Sequence, residues 1–174
     1  MERVLIIGPC GSGKSTLSLE LGGRLNLPVV HMDRLGWLPG WVETDKEDLR
    51  RSLLTIVETD RWLIEGNYGS TLDLRLPRAD TVVYLDFPIA LCLWRVVRRV
   101  LRYRGRTRPD MTDGCPERFD LAFFRYVLFS NWGPRIRTEE RLRGQDGKVI
   151  RLRTPRALER WLMGLQEPSP PVVR

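Results

Sequence analysis

Eight consecutive residues, Gly8-Pro9-Cys10-Gly11-Ser12-Gly13-Lys14-Ser15, carry glycines, a lysine and a hydroxyl at the spacing G-x-x-x-x-G-K-[ST]. Glycines let the backbone curl until successive N–H groups point at phosphate oxygens, and a helix starting there adds the positive end of its dipole. At this spacing Lys14 reaches the outer phosphates of a nucleotide and Ser15 offers its hydroxyl to a magnesium ion. Pro9 has no N–H to give. The cradle is therefore expected from Gly11, Ser12, Gly13, Lys14, Ser15 and Thr16, with Gly8 opening the turn. The chemistry implied is binding of ATP with Mg2+.

Two further groups of residues extend this chemistry. Asp33 follows the short apolar run Val29-Val30-His31, and ligands of open α/β sheets sit beyond the carboxyl ends of the strands. Asp33 is thus a candidate base or a ligand to a magnesium-bound water; its other reading is a loop cap. His31 reads as a packed or hydrogen-bonded ring, since the sequence identifies no partner for it. Glu65 and Asp86 end two more apolar runs, Trp62-Leu63-Ile64 and Thr81-Val82-Val83-Tyr84-Leu85. Either acid suits the magnesium side of the site, and the sequence does not rank them. The second group is cationic. Arg95, Arg98, Arg99, Arg102, Arg104, Arg106 and Arg108 lie in a stretch without an acid between Phe87 and Pro109, and without them the net charge of +7 vanishes. Guanidinium groups match phosphate oxygens in bidentate geometry, so this run reads as a lid over a nucleotide, with a solvated basic face as its alternative.

The elements that must position these groups follow from periodicity. The run Val4-Leu5-Ile6-Ile7 predicts a strand before the glycine loop and Thr16 to Leu21 a helix after it. Arg34 to Trp41 reads as a loop whose tryptophans, Trp37 among them, line a pocket or cover the core. Thr44-Asp45-Lys46-Glu47 has the form of a capping box and starts a helix running to about Glu58. Gly66-Asn67-Tyr68-Gly69 breaks the strand ending at Glu65, and Ser70 to Asp73 caps a short helix toward Arg75. Pro88 suits the first position of the next helix. Placed at 100° per residue, Arg95, Arg98, Arg99 and Arg102 share one arc, and Leu93, Val96, Val97 and Val100 the opposite one. Glu117 to Phe129 and Arg135 to Leu142 read as helices around Trp132-Gly133-Pro134. Lys148 to Leu152 reads as the last strand, with Arg153 and Thr154 leaving it toward the adenine and Thr154-Pro155 opening a helix. Pocket candidates for an acceptor are Arg34, Trp37, Asn67, Tyr68 and Arg75.

The 174 residues suit a single domain over residues 1–167 with a lid at about 102–133 and a flexible tail at 168–174. No basic-then-apolar leader opens the chain and no apolar run approaches the roughly 18 residues of a membrane span, so a cytoplasmic location is expected. Cys10, Cys92 and Cys115 are odd in number and far apart, which indicates neither a disulfide framework nor a zinc site.

With these pieces assembled, the chain resembles P-loop kinases of the nucleoside monophosphate and shikimate kinase class. More closely it resembles the bacterial adenylate kinase-related group described as FlaR-like or DNA topology modulation proteins. The match runs through Gly8 to Thr16, Asp33 to Trp41, Trp62 to Tyr68, Leu74 to Asp80, Trp94-Arg95 with Arg99, Arg106 to Met111 and Glu117-Arg118. The resemblance implies a P-loop NTPase α/β fold in three α/β/α layers, with a five-stranded parallel sheet of order 2-3-1-4-5 and an arginine-rich helical lid. It implies that Arg95 stacks near adenine, that Arg99, with Arg108 beside it in the lid, binds the transferring phosphate, and that Asp33 contacts and deprotonates the acceptor. Glu65 departs from the aspartate that the group more often carries before Gly-Asn-Tyr.

The function expected is a kinase that transfers the γ-phosphoryl group of ATP to a small-molecule or nucleotide acceptor, acting as a monomer or homodimer. The rival expectation is a DNA-associated or regulatory ATPase whose arginines hold phosphodiester backbone, although no helix-turn-helix or other DNA-reading motif is present. A nucleotide-binding scaffold without turnover is a third.

Overall fold

Val4, Leu5, Ile6 and Ile7 are apolar in succession because both faces of their strand are covered, the condition of a parallel sheet between helical layers. In the computed structural model, which describes residues 1–129 and 133–165, this strand, β1 (Arg3–Ile7), lies at the centre. The chain continues through α1 (Lys14–Leu25), β2 (Val29–His31), α2 (Met32–Gly36), β3 (Trp37–Leu38), β4 (Val42–Glu43), α3 (Lys46–Val57), β5 (Trp62–Glu65), α4 (Leu72–Arg78) and β6 (Thr81–Leu85). It ends with α5 (Ile89–Tyr103), α6 (Leu121–Phe129), α7 (Pro134–Leu142), β7 (Val149–Leu152) and α8 (Pro155–Gly164). Trp132 and the tail from Gln166 onward lie outside the described residues.

The main sheet is parallel and runs β2-β5-β1-β6-β7. Counting its own strands in chain order, this is the expected 2-3-1-4-5. One face buries Leu5, Ile7, Ile64 and Val82 against Leu49, Leu53 and Val57 of α3, Leu72 and Leu76 of α4, and Leu142 of α7. The other buries Val4, Ile6, Leu63, Val83 and Leu85 against Leu17 and Leu21 of α1, Cys92 of α5 and Leu162 of α8. Each fully buried aliphatic side chain contributes about 1.5–3 kcal/mol, so the two faces hold the three layers together. Among the described residues no helix is long and apolar enough to cross a membrane.

Several local expectations shift by a residue or a face. The α3 cap is Asp45, whose carboxylate accepts from the N–H groups of Glu47 and Asp48, rather than Thr44. Thr44 donates its own N–H to Gly36 at 3.0 Å, which keeps it in the preceding hairpin. Asp45→Ala is therefore expected to cost about 1 kcal/mol, read as a lower urea midpoint, while Thr44→Ala leaves the helix start intact. The segment expected as a loop between Arg34 and Trp41 is instead α2 followed by an antiparallel pair, Trp37 opposite Glu43 and Leu38 opposite Val42. On α5 the buried positions are Cys92, Val96 and Val100, an i, i+4, i+8 row, and Val97 is 41 % exposed rather than part of the core face. Pro88 caps α5 rather than opening it. Helix α6 begins at Leu121, not Glu117. Residues before it are held in a compact loop by bridges between Arg104 and Glu117 and between Thr107 and Pro116.

Candidate functional site

The glycine loop between β1 and α1 packs directly on α5. Gly11 has a φ of +81°, and a Cβ there would run into the Cys92 carbonyl and Val96, so only glycine fits. Gly13, at φ +95°, caps α1 and brings Lys14 into its first turn. The Lys14 ammonium donates back to the carbonyls of Gly8 (3.0 Å) and Pro9 (3.2 Å). Gly11 to Thr16 all line one cleft of about 1880 Å3; Gly8 lies behind it, its N–H donated to Asn67 Oδ1 at 3.0 Å.

Strand order separates the two acids that the sequence left unranked. Because β2 and β5 are neighbours with His31 opposite Glu65, the two side chains meet at the carboxyl ends of their strands, with His31 Nδ1 2.9 Å from Glu65 Oε1. The same oxygen accepts from the Ser15 hydroxyl at 3.1 Å. Glu65 is only 3 % exposed and lines the cleft. Asp86 does not line that cleft. It is held by Arg135 (2.9 Å) and Arg151 (2.7 Å) at the β7 edge, with Arg153 3.9 Å away. Arg153 and Thr154, expected to border the adenine, lie outside this cleft. Arg153 is 72 % exposed, Thr154 spends its hydroxyl capping α8 through the Ala157 N–H, and neither lines the cleft.

The cleft wall that carries Asp33 is built from α2, the hairpin and the loop after β5. Asp33, in the first turn of α2, keeps 40 % of its side-chain surface toward the open cleft. Even so, enclosure by protein pushes its carboxyl above the ordinary aspartate value, and the nearby Glu65 charge adds to this while Arg108 and Lys14 oppose it. The Tyr68 phenol donates to Asp33 and takes a hydrogen bond from Trp37; burial, then the Asp33 charge, pushes its ionisation well above the usual range. Arg34, Trp37, Asn67 and Tyr68 all line the cleft. Arg75 does not: it is 0 % exposed, beneath the loop rather than in the pocket wall.

Above these groups sits the arginine segment. Arg95, Arg98, Arg99 and Arg102 face the cleft as one row of α5. Arg95 donates to the Ser12 carbonyl at 3.1 Å and lies over the Phe87 ring. Arg99 is bonded to Glu117 at 3.0 Å. Arg108, 9 % exposed, reaches Asp110 and Glu117, each at 2.9 Å, and Asp33 at 3.7 Å. Glu117 is thus clamped between two guanidinium groups suited to phosphate. Asp110 reaches the Ser15 hydroxyl; burial alone would raise its carboxyl, but Arg108 and Ser15 hold it below the ordinary value. Neither acid stood out in the sequence beyond its place beside the arginine run, in Arg108-Pro109-Asp110 and Glu117-Arg118.

Glu117→Gln should therefore remove the carboxylate that Arg99 and Arg108 share while Asp110 still pairs Arg108, a change that costs about 1–3 kcal/mol. The expected result is a lower thermal midpoint without nucleotide and a larger rise on adding MgATP than the wild type shows, because phosphate then replaces the lost carboxylate.

The hairpin and the arginine segment are tied together. Gly40 N–H donates to Gly114 (2.9 Å), Thr112 Oγ1 to Arg34 (2.9 Å), Trp41 Nε1 to Pro116 (3.1 Å), and the Arg34 guanidinium to the Pro109 carbonyl. The Arg118 guanidinium lies over the Trp41 ring. At the Ser15 hydroxyl the neighbouring donors are all oxygen, from Glu65 and Asp110, the donor chemistry that suits a hard divalent cation. Among the described residues no three His, Cys, Asp or Glu side chains form a metal centre of their own.

No family model and no curated protein matches the chain. Among solved structures, a shikimate kinase from Aquifex aeolicus matches with a TM-score of 0.53 and 18 % identity, covering 92 % of this chain and 94 % of its own. A sugar kinase from Janibacter sp. HTCC2649 matches at 0.55 and 19 % identity, over 94 % and 93 %. A gluconokinase from Sinorhizobium meliloti matches at 0.52 and 12 % identity, over 94 % and 98 %. At these identities the likeness is one of architecture: the parallel sheet, its flanking helices and the phosphate loop make a P-loop kinase-like fold.

Proposed function

We propose that this chain is an ATP-dependent kinase acting on a hydroxyl of a small acceptor. The observation that carries the reading is that Asp33, hydrogen-bonded by Tyr68, faces the same cleft as Lys14 and Ser15, with Arg108 3.7 Å from its carboxylate. A base, a phosphate cradle and a charge-stabilising arginine thus converge where an in-line transfer needs them. The three fold neighbours carry kinase names, which supports the same direction.

In this reading the amides of Gly11 to Thr16 hold the triphosphate, and Lys14 leaves the Gly8 and Pro9 carbonyls for the β- and γ-phosphates. Ser15 would hold Mg2+ directly and Glu65 through water, and the ion, when bound, would neutralise phosphate charge. Asp33 takes the proton of the acceptor hydroxyl as its oxygen attacks the γ-phosphorus. The bond to the β–γ bridging oxygen breaks, and ADP leaves with the bond's electron pair. Arg99 and Arg108 exchange Glu117 for the transferring group, whose charge they stabilise. Residues 102–133 act as the lid. Arg34, Trp37, Asn67 and Tyr68 surround the acceptor. A place in the FlaR-like group, a cytoplasmic location and a monomeric or homodimeric state belong to the same proposal.

The test is acceptor-dependent ADP formation over a library of hydroxylated metabolites, nucleosides and nucleotides, with shikimate and gluconate included. Stimulation by one chemical class supports the reading; ATP binding without stimulation by any member overturns it. One observation favours a second reading: Arg98 and Arg102 stack on Trp94 and Tyr103, a combination of cation and ring that nucleic acids also use. Salt-dependent DNA binding lost on replacing Arg102, Arg104, Arg106 and Arg108 would point to that regulatory ATPase.

A further inference from the structure

The loop that follows β5 turns through backbone that side chains disfavour. Gly66 has a φ of +128° and Tyr68, which is not a glycine, one of +27°, a conformation that persists only when its surroundings over-determine it. Thr71 bonds the Tyr68 carbonyl through its N–H and its hydroxyl, the Gly66 N–H bonds the Ile6 carbonyl, and Arg141 reaches the Gly69 carbonyl, but one side chain spans the turn itself. From its place in α4, Arg75 donates through Nη1 to the Gly66 carbonyl at 2.8 Å and through Nη2 to those of Asn67 (2.7 Å) and Tyr68 (3.0 Å). Its Nε reaches toward Thr71 at 3.5 Å.

Keeping a guanidinium in the core is costly unless its donors are used, and among the described residues no salt bridge pairs Arg75 with a carboxylate. Burial draws its pKa down to about 10, still charged at neutral pH. What the residue does is visible at the two ends of the loop it grips. At one end Asn67 Oδ1 accepts the N–H of Gly8, the first residue of the phosphate loop. At the other the Tyr68 phenol meets Asp33, its ring packed on Gly36 so closely that a Cβ at Gly36 would overlap it. A lysine could satisfy these carbonyls only as a point donor; the planar fork of arginine serves several at fixed angles.

We infer that Arg75 is a positioning residue for phosphoryl transfer: by gripping the carbonyls of Gly66, Asn67 and Tyr68 it holds Tyr68 against Asp33 and Asn67 against Gly8, without touching either substrate. The inference rests on the kinase reading for its consequence and on the loop geometry for its substance, and the two are tested separately.

Arg75→Lys keeps the charge and loses the fork. Amide hydrogen exchange over residues 67–71 is expected to accelerate about tenfold relative to exchange in β1 and β6. With an acceptor found in the screen, kcat should fall about tenfold or more while the KM for ATP stays within about threefold. Adding Tyr68→Phe to Arg75→Lys should then cost little beyond either change alone, because both act through one contact. Unchanged exchange over 67–71, or independent and additive losses in the double variant, overturns the inference. Asn67→Ala, which leaves the Arg75 bonds in place, provides a variant that does not depend on Arg75→Lys folding. Faster exchange at Gly8 with 67–71 unchanged supports the link to the phosphate loop, and unchanged Gly8 exchange refutes it. If the wild type turns over no acceptor, the kinase reading falls while the exchange results still decide whether Arg75 holds the loop.

Discussion

Lys14→Ala is expected to abolish phosphoryl transfer, by about 10^3-fold or more, on the scale by which charge stabilisation contributes to such reactions, and to leave the fold standing. The two effects separate because of where the ammonium sits. Among the described residues it bonds the carbonyls of Gly8 and Pro9 in the cleft, and water can replace it there, so little stability is lost. In the transition state no other residue of the cradle supplies a mobile positive charge to the outer phosphates; the amides of Gly11 to Thr16 are fixed dipoles. ADP formation and the urea midpoint, measured on the same preparation, check both halves. Full activity in the variant would sink the proposal.

Asp33→Asn is expected to lose transfer by about 10^2–10^4-fold, the usual contribution of a positioned base, and at the same time to make the protein more stable at pH 7. The sign follows from its raised carboxyl pKa, set by enclosure and then by Glu65. Between the unfolded value and the folded one, the native state binds more proton than the unfolded chain, so stability falls as pH rises through that window and stays lower above it. The neutral amide escapes that loss and can still accept from Tyr68. The wild-type rate should show an acid limb above the ordinary aspartate range, because the base must be ionised. Arg108→Met should move that limb to higher pH, since Arg108 is the main charge opposing the shift. Thermal midpoints at pH 5 and 7 and a pH–rate profile provide the readings; a variant no more stable than wild type at pH 7 contradicts the assignment.

What was legible in the sequence was local or periodic. The glycine loop, its strand and its helix are contiguous, and the apolar runs that form β5 and β6 are short and fully buried as such runs in parallel sheets are, with β2 and β7 at the edges covered in part. Asp33 and Glu65 were legible as chemistry because each ends such a run. Ranking Glu65 against Asp86 was not, since it depends on which strand lies beside which: β5 faces His31 on β2, whereas β6 borders the arginines of β7. Charge pairing is equally non-local. Arg153 reads as a free cation at a strand end until Asp86 is seen nearby, and Arg75 reads as a pocket residue until three carbonyls of one loop are found on its fork. The acids Asp110 and Glu117 were obscured by the arginines around them, because a composition count registers excess charge and cannot tell which cations are already neutralised.

The hydrogen bonds between the hairpin and the arginine segment have a consequence for how new substrates can be acquired. Among the described residues five hydrogen bonds, that of the Cys115 thiol to the Leu38 carbonyl included, join residues 34–41 to residues 109–116, so in the proposed reading the acceptor chamber and the nucleotide cover share one wall. A substitution that reshapes the chamber for a different acceptor also resets how the cover sits on ATP, and each half must be selected with the other. On the proposed kinase reading, specificity and donor binding are then one trait, inherited together.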